Sequence, residues 1–106
     1  MSQHKIVVFV PVTHADSMRA AIGSAGGGKL GNYACCSFSV RGIGRFRPET
    51  GAQPAIGQVG KLEEVEEERI EITCDSVLVR DVVAAIIAAH PYEEPALDVW
   101  GLENWK

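Results

Sequence analysis

The apolar positions of this chain change period along its length, and the changes mark out its elements. Lys5 to Val12, KIVVFVPV, is a short β-branched run that reads as a strand buried on both faces. Met18, Ala21, Ile22 and Ala25 then recur at i, i+3, i+4 and i+7, the spacing of an amphipathic helix. Thr13 and Asp16 before it have the spacing of a capping box. Gly26, Gly27 and Gly28 end that helix, since glycine takes the left-handed position past a helix C-terminus without strain. From Tyr33 to Val40, Ala34, Cys36, Phe38 and Val40 alternate with Tyr33, Cys35, Ser37 and Ser39, a strand pattern. Ile70, Ile72 and Cys74 alternate with Arg69, Glu71 and Thr73, a third strand. The glutamates before them suit a helix as well as the solvated face or protected edge of that strand. Val79, Val82, Val83 and Ile86 form the stripe of a second helix, capped by Asp75 or Ser76 and stopped by Pro91. Leu97 to Leu102, LDVWGL, is a final short strand.

The order is β-α-β-β-α-β. It predicts an α+β, ferredoxin-like fold in which an antiparallel sheet carries two helices on one face. The 106 residues suit a single domain over 1–106. Arg41 to Gly60, RGIGRFRPETGAQPAIGQVG, reads as a long Gly/Pro-rich connection with a short hairpin around Arg45 to Arg47. Loops of this length in small domains tend to be functional or mobile.

Charge and composition narrow the function classes. Ten basic and fourteen acidic side chains leave a formal net charge of −4, which argues against wholesale nucleic-acid binding. No apolar run approaches the ~18 residues of a membrane helix, and MSQHKIVVFVPV lacks the features of a secretion signal. Cys35, Cys36 and Cys74 are a poor disulfide framework and suit reduced thiols, so the expected location is cytoplasmic. Leu78 and Ile87 widen the apolar surface of the second helix, a sign of self-association.

The glycines at 23–28 with Lys29 come within one residue of the phosphate-loop pattern, Leu30 standing where a hydroxyl is needed. A phosphate loop opens a helix, whose positive end faces the anion. These glycines close one, so they read as a helix stop. The topology places His14, His90 and the 41–60 loop at one end of the sheet. His14, His90, Glu93 and Glu94 there are a candidate set for a divalent metal ion. The alternative is a capping role for His90 and a solvated turn for the glutamates. Arg41, Arg45 and Arg47 are a candidate anion site, or partners for Glu63 to Glu68, the preferred reading. No nucleophile–base pair and no H-E-x-x-H or G-x-S-x-G pattern occurs, so nothing argues for an enzyme.

G-N-Y at 31–33, C-S-F-S at 36–39, G-x-G-x-F-R-P at 42–48, G-K-L-E-E-V-E-E at 60–67 and H-P-Y-E-E-P at 90–95 together carry a resemblance. From about Lys5 to Leu102 the chain resembles the inserted domain of bacterial Nif-three-like (NGG-interacting-factor-three-like) proteins, also labelled GTP cyclohydrolase type-two homologues. The resemblance implies a PII-like or CutA-like fold. H-P-Y-E is similar to the CutA divalent-cation-tolerance family, whose members are trimers, and this makes a homotrimer the favoured assembly. The family's dinuclear metal site, built from His, Asp and Glu on its main domain, has no counterpart in this sequence. The expectation is an accessory domain living alone, without cyclohydrolase activity. In PII proteins the loop between the second and third strands contacts partners, and Arg41 to Gly60 holds that place.

Two functional expectations follow. The first is a small oligomeric, non-catalytic regulatory or ligand-binding protein, with a divalent metal ion or anionic metabolite near His14 and His90. The alternative is a protein–protein interaction or oligomerisation module with no small ligand, contacting a partner through the 41–60 loop.

Overall fold

The computed structural model describes residues 2–105. The N-terminal β-branched run forms β1 (Gln3–Pro11), and a 3-10 turn at Val12–His14 leads into α1 (Ala15–Ser24). β2 (Phe38–Phe46) and β3 (Glu63–Asp75) follow, then a 3-10 turn (Ser76–Leu78), α2 (Val79–Ala89) and β4 (Leu97–Leu102). The four strands form one sheet in the order β2-β3-β1-β4, with every neighbouring pair antiparallel. This is the expected α+β arrangement, with two helices and a four-stranded antiparallel sheet.

Side-chain alternation decides what each face of the sheet does. Ile6, Val8 and Val10 from β1 and Ile70, Ile72 and Cys74 from β3 pack with Met18 and Ile22 of α1 and Val82 and Ile86 of α2. These buried side chains each contribute roughly 1.5–3 kcal/mol. The odd-numbered residues of β1 and β3 therefore turn to the face without helices. Register places Phe9 beside Arg69 and Pro11 beside Glu67 on that outer face. On the helix side, the Arg19 guanidinium bridges Asp16 and the buried Glu68. Those two carboxylates raise its pKa, the hydrogen bond to Glu68 most of all. Burial likewise pushes up the Cys74 thiol.

Several local expectations are corrected. The capping box does not form: His14, not Thr13, is the N-cap of α1, and no side chain caps that end. The second helix likewise starts through a 3-10 turn: Asp75 makes no side-chain cap, and the Ser76 hydroxyl is engaged with Ser2 and His4 instead. The strand expected at Tyr33–Val40 begins at Phe38 and runs on to Phe46. Upstream, Cys35 takes a positive φ of 58°, which breaks extended backbone. Arg41 and Arg45 therefore sit on a strand rather than a loop, and the Arg45–Arg47 hairpin is absent. All of Glu63 to Asp75 is strand, and β3 lies inside the sheet, so its glutamates guard no edge. Leu78 packs against the core, leaving Ile87 exposed on α2.

The glycine triplet is a helix stop. Gly26 has φ +98°, and its N–H returns to Gly23 O while that of Gly27 returns to Ile22 O. This is the paired bonding of a Schellman motif. Gly28 N–H is taken by Thr73 O, so these amides are committed to the fold rather than to a phosphate.

Candidate functional site

Beyond Phe46 the chain leaves the sheet and folds back on itself. Gly60 donates its N–H to Pro48 O at 2.8 Å, and Ala52 donates to Glu49 O at 3.0 Å. The Gln53 N–H reaches across to the Glu93 carboxylate at 2.8 Å, tying this segment to the turn after α2. Between the two segments and the end of the sheet lies a cavity of about 510 Å³. Phe9, Phe46, Pro48, Ala52, Pro54, Ile56, Tyr92 and Ala96 supply apolar wall; Arg45, Arg47, Glu49, Glu67, Glu93 and Glu94 supply the charged groups.

Glu67 is the buried charge of this site, only 8% exposed. It projects from the outer face of β3, opposite Pro11 on β1 and Gly42 on β2. Its carboxylate lies over Gly44, where a Cβ would collide with Glu67 Oε1. Here glycine is required for close approach rather than for a turn. Tyr92 donates its hydroxyl to Glu67 Oε2 at 3.1 Å. Burial, then the Glu67 charge and that hydrogen bond, hold the Tyr92 hydroxyl well above the usual tyrosine range. Phe46 meets the Tyr92 ring edge-on, with centroids 5.6 Å apart.

His90 fixes this arrangement from behind. Its Nε2 lies 2.7 Å from Phe9 O, and its Nδ1 accepts the Tyr92 N–H at 3.1 Å. A carbonyl only accepts and an amide N–H only donates, which assigns the ring as the Nε2–H tautomer. Both nitrogens are thus occupied by backbone. His14 is exposed on its 3-10 turn, with Nδ1 2.9 Å from Thr13 Oγ1, and does not line the cavity. Glu93 and Glu94 do. Among the described residues, no group of three or more His, Cys, Asp and Glu side chains is placed to hold a metal ion. The structure thus brings Glu93 and Glu94 to the cavity without assembling them with His14 and His90 as ligands.

The arginines do not converge either. Arg41 Nε lies 3.7 Å from Glu68, and Arg45 Nε lies 3.3 Å from Glu64. Arg47 turns to Glu49 at 2.7 Å rather than to the β3 glutamates. Arg45 and Arg47 line the cavity and Arg41 does not. Sequence reasoning missed Glu67, Tyr92, Phe46 and Phe9. The signals were the G-x-G at 42–44 and the tyrosine of H-P-Y-E-E-P, each read as motif without a role.

With that geometry in place, comparison with known proteins locates the chain. No family model matches it. It is 52% identical over 103 residues to the GTP cyclohydrolase 1 type 2 homolog of Halalkalibacterium halodurans, covering 97% of this chain and 28% of that protein. The homologue from Bacillus subtilis is 46% identical over 100 residues, 94% of this chain and 27% of its own length. The chain is a homologue of one segment of these proteins. It spans about a quarter of their length, so what their name implies for the whole protein does not pass to it. A solved Bacillus cereus protein related to NIF3 contains the same segment, with a TM-score of 0.83 and 50% identity over 97% of this chain and 26% of that one. CutA from Xylella fastidiosa superposes with a TM-score of 0.69 at 17% identity over 98% of this chain and 86% of its own. That likeness establishes the fold alone. Among the described residues, no helix is long and apolar enough to cross a membrane.

Proposed function

We propose that this chain is a non-catalytic ligand-binding domain whose site is the cavity between the 47–62 segment and the turn at 91–96. One observation carries the reading: a buried carboxylate, Glu67, held by the Tyr92 hydroxyl, lines an otherwise largely apolar cavity. Apolar walls with a few fixed polar groups are the usual make-up of small-molecule sites, and the volume is within their range. Gln53 and Glu93 join the two flanking segments, so an occupant that alters this join would change the surface the loop offers to a partner. Among the described residues, no Ser, Thr, Cys, Lys or His side chain lines the cavity, which supports binding over nucleophilic catalysis.

A thermal-shift screen of metabolite-sized compounds against wild type and Ala52→Trp tests this. The substitution fills the cavity from a residue that lines it. A true ligand at ~100 times its Kd stabilises the wild type by ~2.7 kcal/mol and leaves the filled variant unmoved. If no compound distinguishes the two proteins, the reading fails.

A second reading, self-assembly, draws on a separate observation. The outer sheet face has no helical layer over it, and Phe38, at 69% exposure, Val40 and Trp100 stand open there. An uncovered apolar sheet face suits contact with further copies of the chain. For the homotrimer expected from the sequence, an association of copies through this face is the form that these residues support.

A further inference from the structure

We infer that the occupant of this cavity is a small organic cation, an ammonium ion on an apolar body. The inference rests on the proposed reading of the cavity as a ligand site and names the ligand's chemistry.

The charges of the wall point one way. Arg47 is neutralised by Glu49, and Arg45 by Glu64. Among the described residues, no basic side chain forms an ion pair with Glu67, Glu93 or Glu94. The cavity therefore keeps an uncompensated negative charge, with its buried member at Glu67. Burying a carboxylate is costly unless a cation or several donors answer it. Tyr92 supplies one donor, to Oε2. An ammonium group in the cavity would be attracted to this carboxylate, whereas an anion there would be repelled.

The rings agree with the charge. Phe9, Phe46 and Tyr92 all line the cavity, and aromatic faces attract ammonium and guanidinium groups. Phe9 already does this for a protein cation: the Arg69 guanidinium carbon lies 5.8 Å from its ring centroid. A hard metal cation would instead need several converging oxygens, and among the described residues no three His, Cys, Asp or Glu side chains are placed to supply them. Apolar body, aromatic rings and one buried carboxylate together select an organic ammonium ion.

Three probes with the same phenyl body decide the matter by calorimetry: phenethylammonium, 2-phenylethanol and phenylacetate. The wild type is expected to bind the cation more tightly than the alcohol by about tenfold or more, and to bind phenylacetate most weakly. Glu67→Gln keeps the shape of the side chain and should remove the preference, with folding verified by circular dichroism. Ala52→Trp should abolish binding of the cation. Equal binding of cation and alcohol by wild type, both lost in Ala52→Trp, would overturn the cation inference and leave the cavity reading standing. Preference for phenylacetate would also overturn it, as would a cation preference that survives Glu67→Gln. If none of the three binds, both inferences fall.

Discussion

The Tyr92 hydroxyl donates to Glu67 Oε2 across 3.1 Å, joining the turn after α2 to the middle of β3, 25 residues back in the chain. This bond closes one wall of the cavity and holds a buried carboxylate in place. Tyr92 keeps its proton in the folded protein at pH values where the unfolded chain, at an ordinary value of about 10, has begun to lose it. The folded state then binds more protons than the unfolded state, so this contribution is complete below about pH 10 and declines as pH rises further. Melting temperatures from pH 9 to 11.5, on the scale set by that tyrosine value of about 10, should fall more steeply for wild type than for Tyr92→Phe. The variant should lose ~1 kcal/mol at neutral pH by leaving Glu67 without its donor. Parallel alkaline slopes would exclude the assigned role.

Gly44→Ala places a methyl group against the Glu67 carboxylate. The expected cost is ~1–3 kcal/mol, measured by urea unfolding. Gly42→Ala is the control, since a Cβ there meets nothing within 4 Å. Equal stability of the two variants would mean that Glu67 does not occupy the space over Gly44.

His90 orients the turn that carries Tyr92 by bonding Phe9 O and Tyr92 N–H. His90→Ala should cost ~1–3 kcal/mol, as it leaves a buried acceptor and donor unmet. Amide hydrogen exchange at Tyr92 should speed up in the same variant. Unchanged exchange would contradict a positioning role.

On the outer sheet face, Phe38→Glu with Val40→Glu should leave melting nearly unchanged, because both side chains are exposed. The same pair should drive any assembled species toward monomer in sedimentation velocity. Assembly that survives both substitutions would remove this face from the account.

The sequence shows the element order plainly, because the apolar periods of β1, α1, α2 and the second half of β3 match what those residues bury. β2 was less legible. Gly42 and Gly44 look like loop punctuation, yet Gly44 is a strand residue whose missing side chain admits Glu67. Nothing local to Gly44 announces a carboxylate 23 residues away. Glu67 was hidden for a related reason. It sits in a run of glutamates that reads as a solvated face, yet it is buried where its carboxylate lies over Gly44 and meets the Tyr92 hydroxyl. His90 was legible only as alternatives, a metal ligand beside acidic residues or a helix cap, and its two nitrogens meet backbone partners that the sequence does not announce.

Ligand binding in the cavity is open to direct observation. The most direct measurement is a titration of the ¹⁵N-labelled chain with phenethylammonium, followed by amide chemical shifts. Binding there should give saturable shifts at Phe46, Ala52, Gln53 and Tyr92, with Gly26 to Asn32 at the far end of the sheet unmoved. Shifts concentrated on Phe38, Val40 and Trp100, or none that saturate, would contradict it.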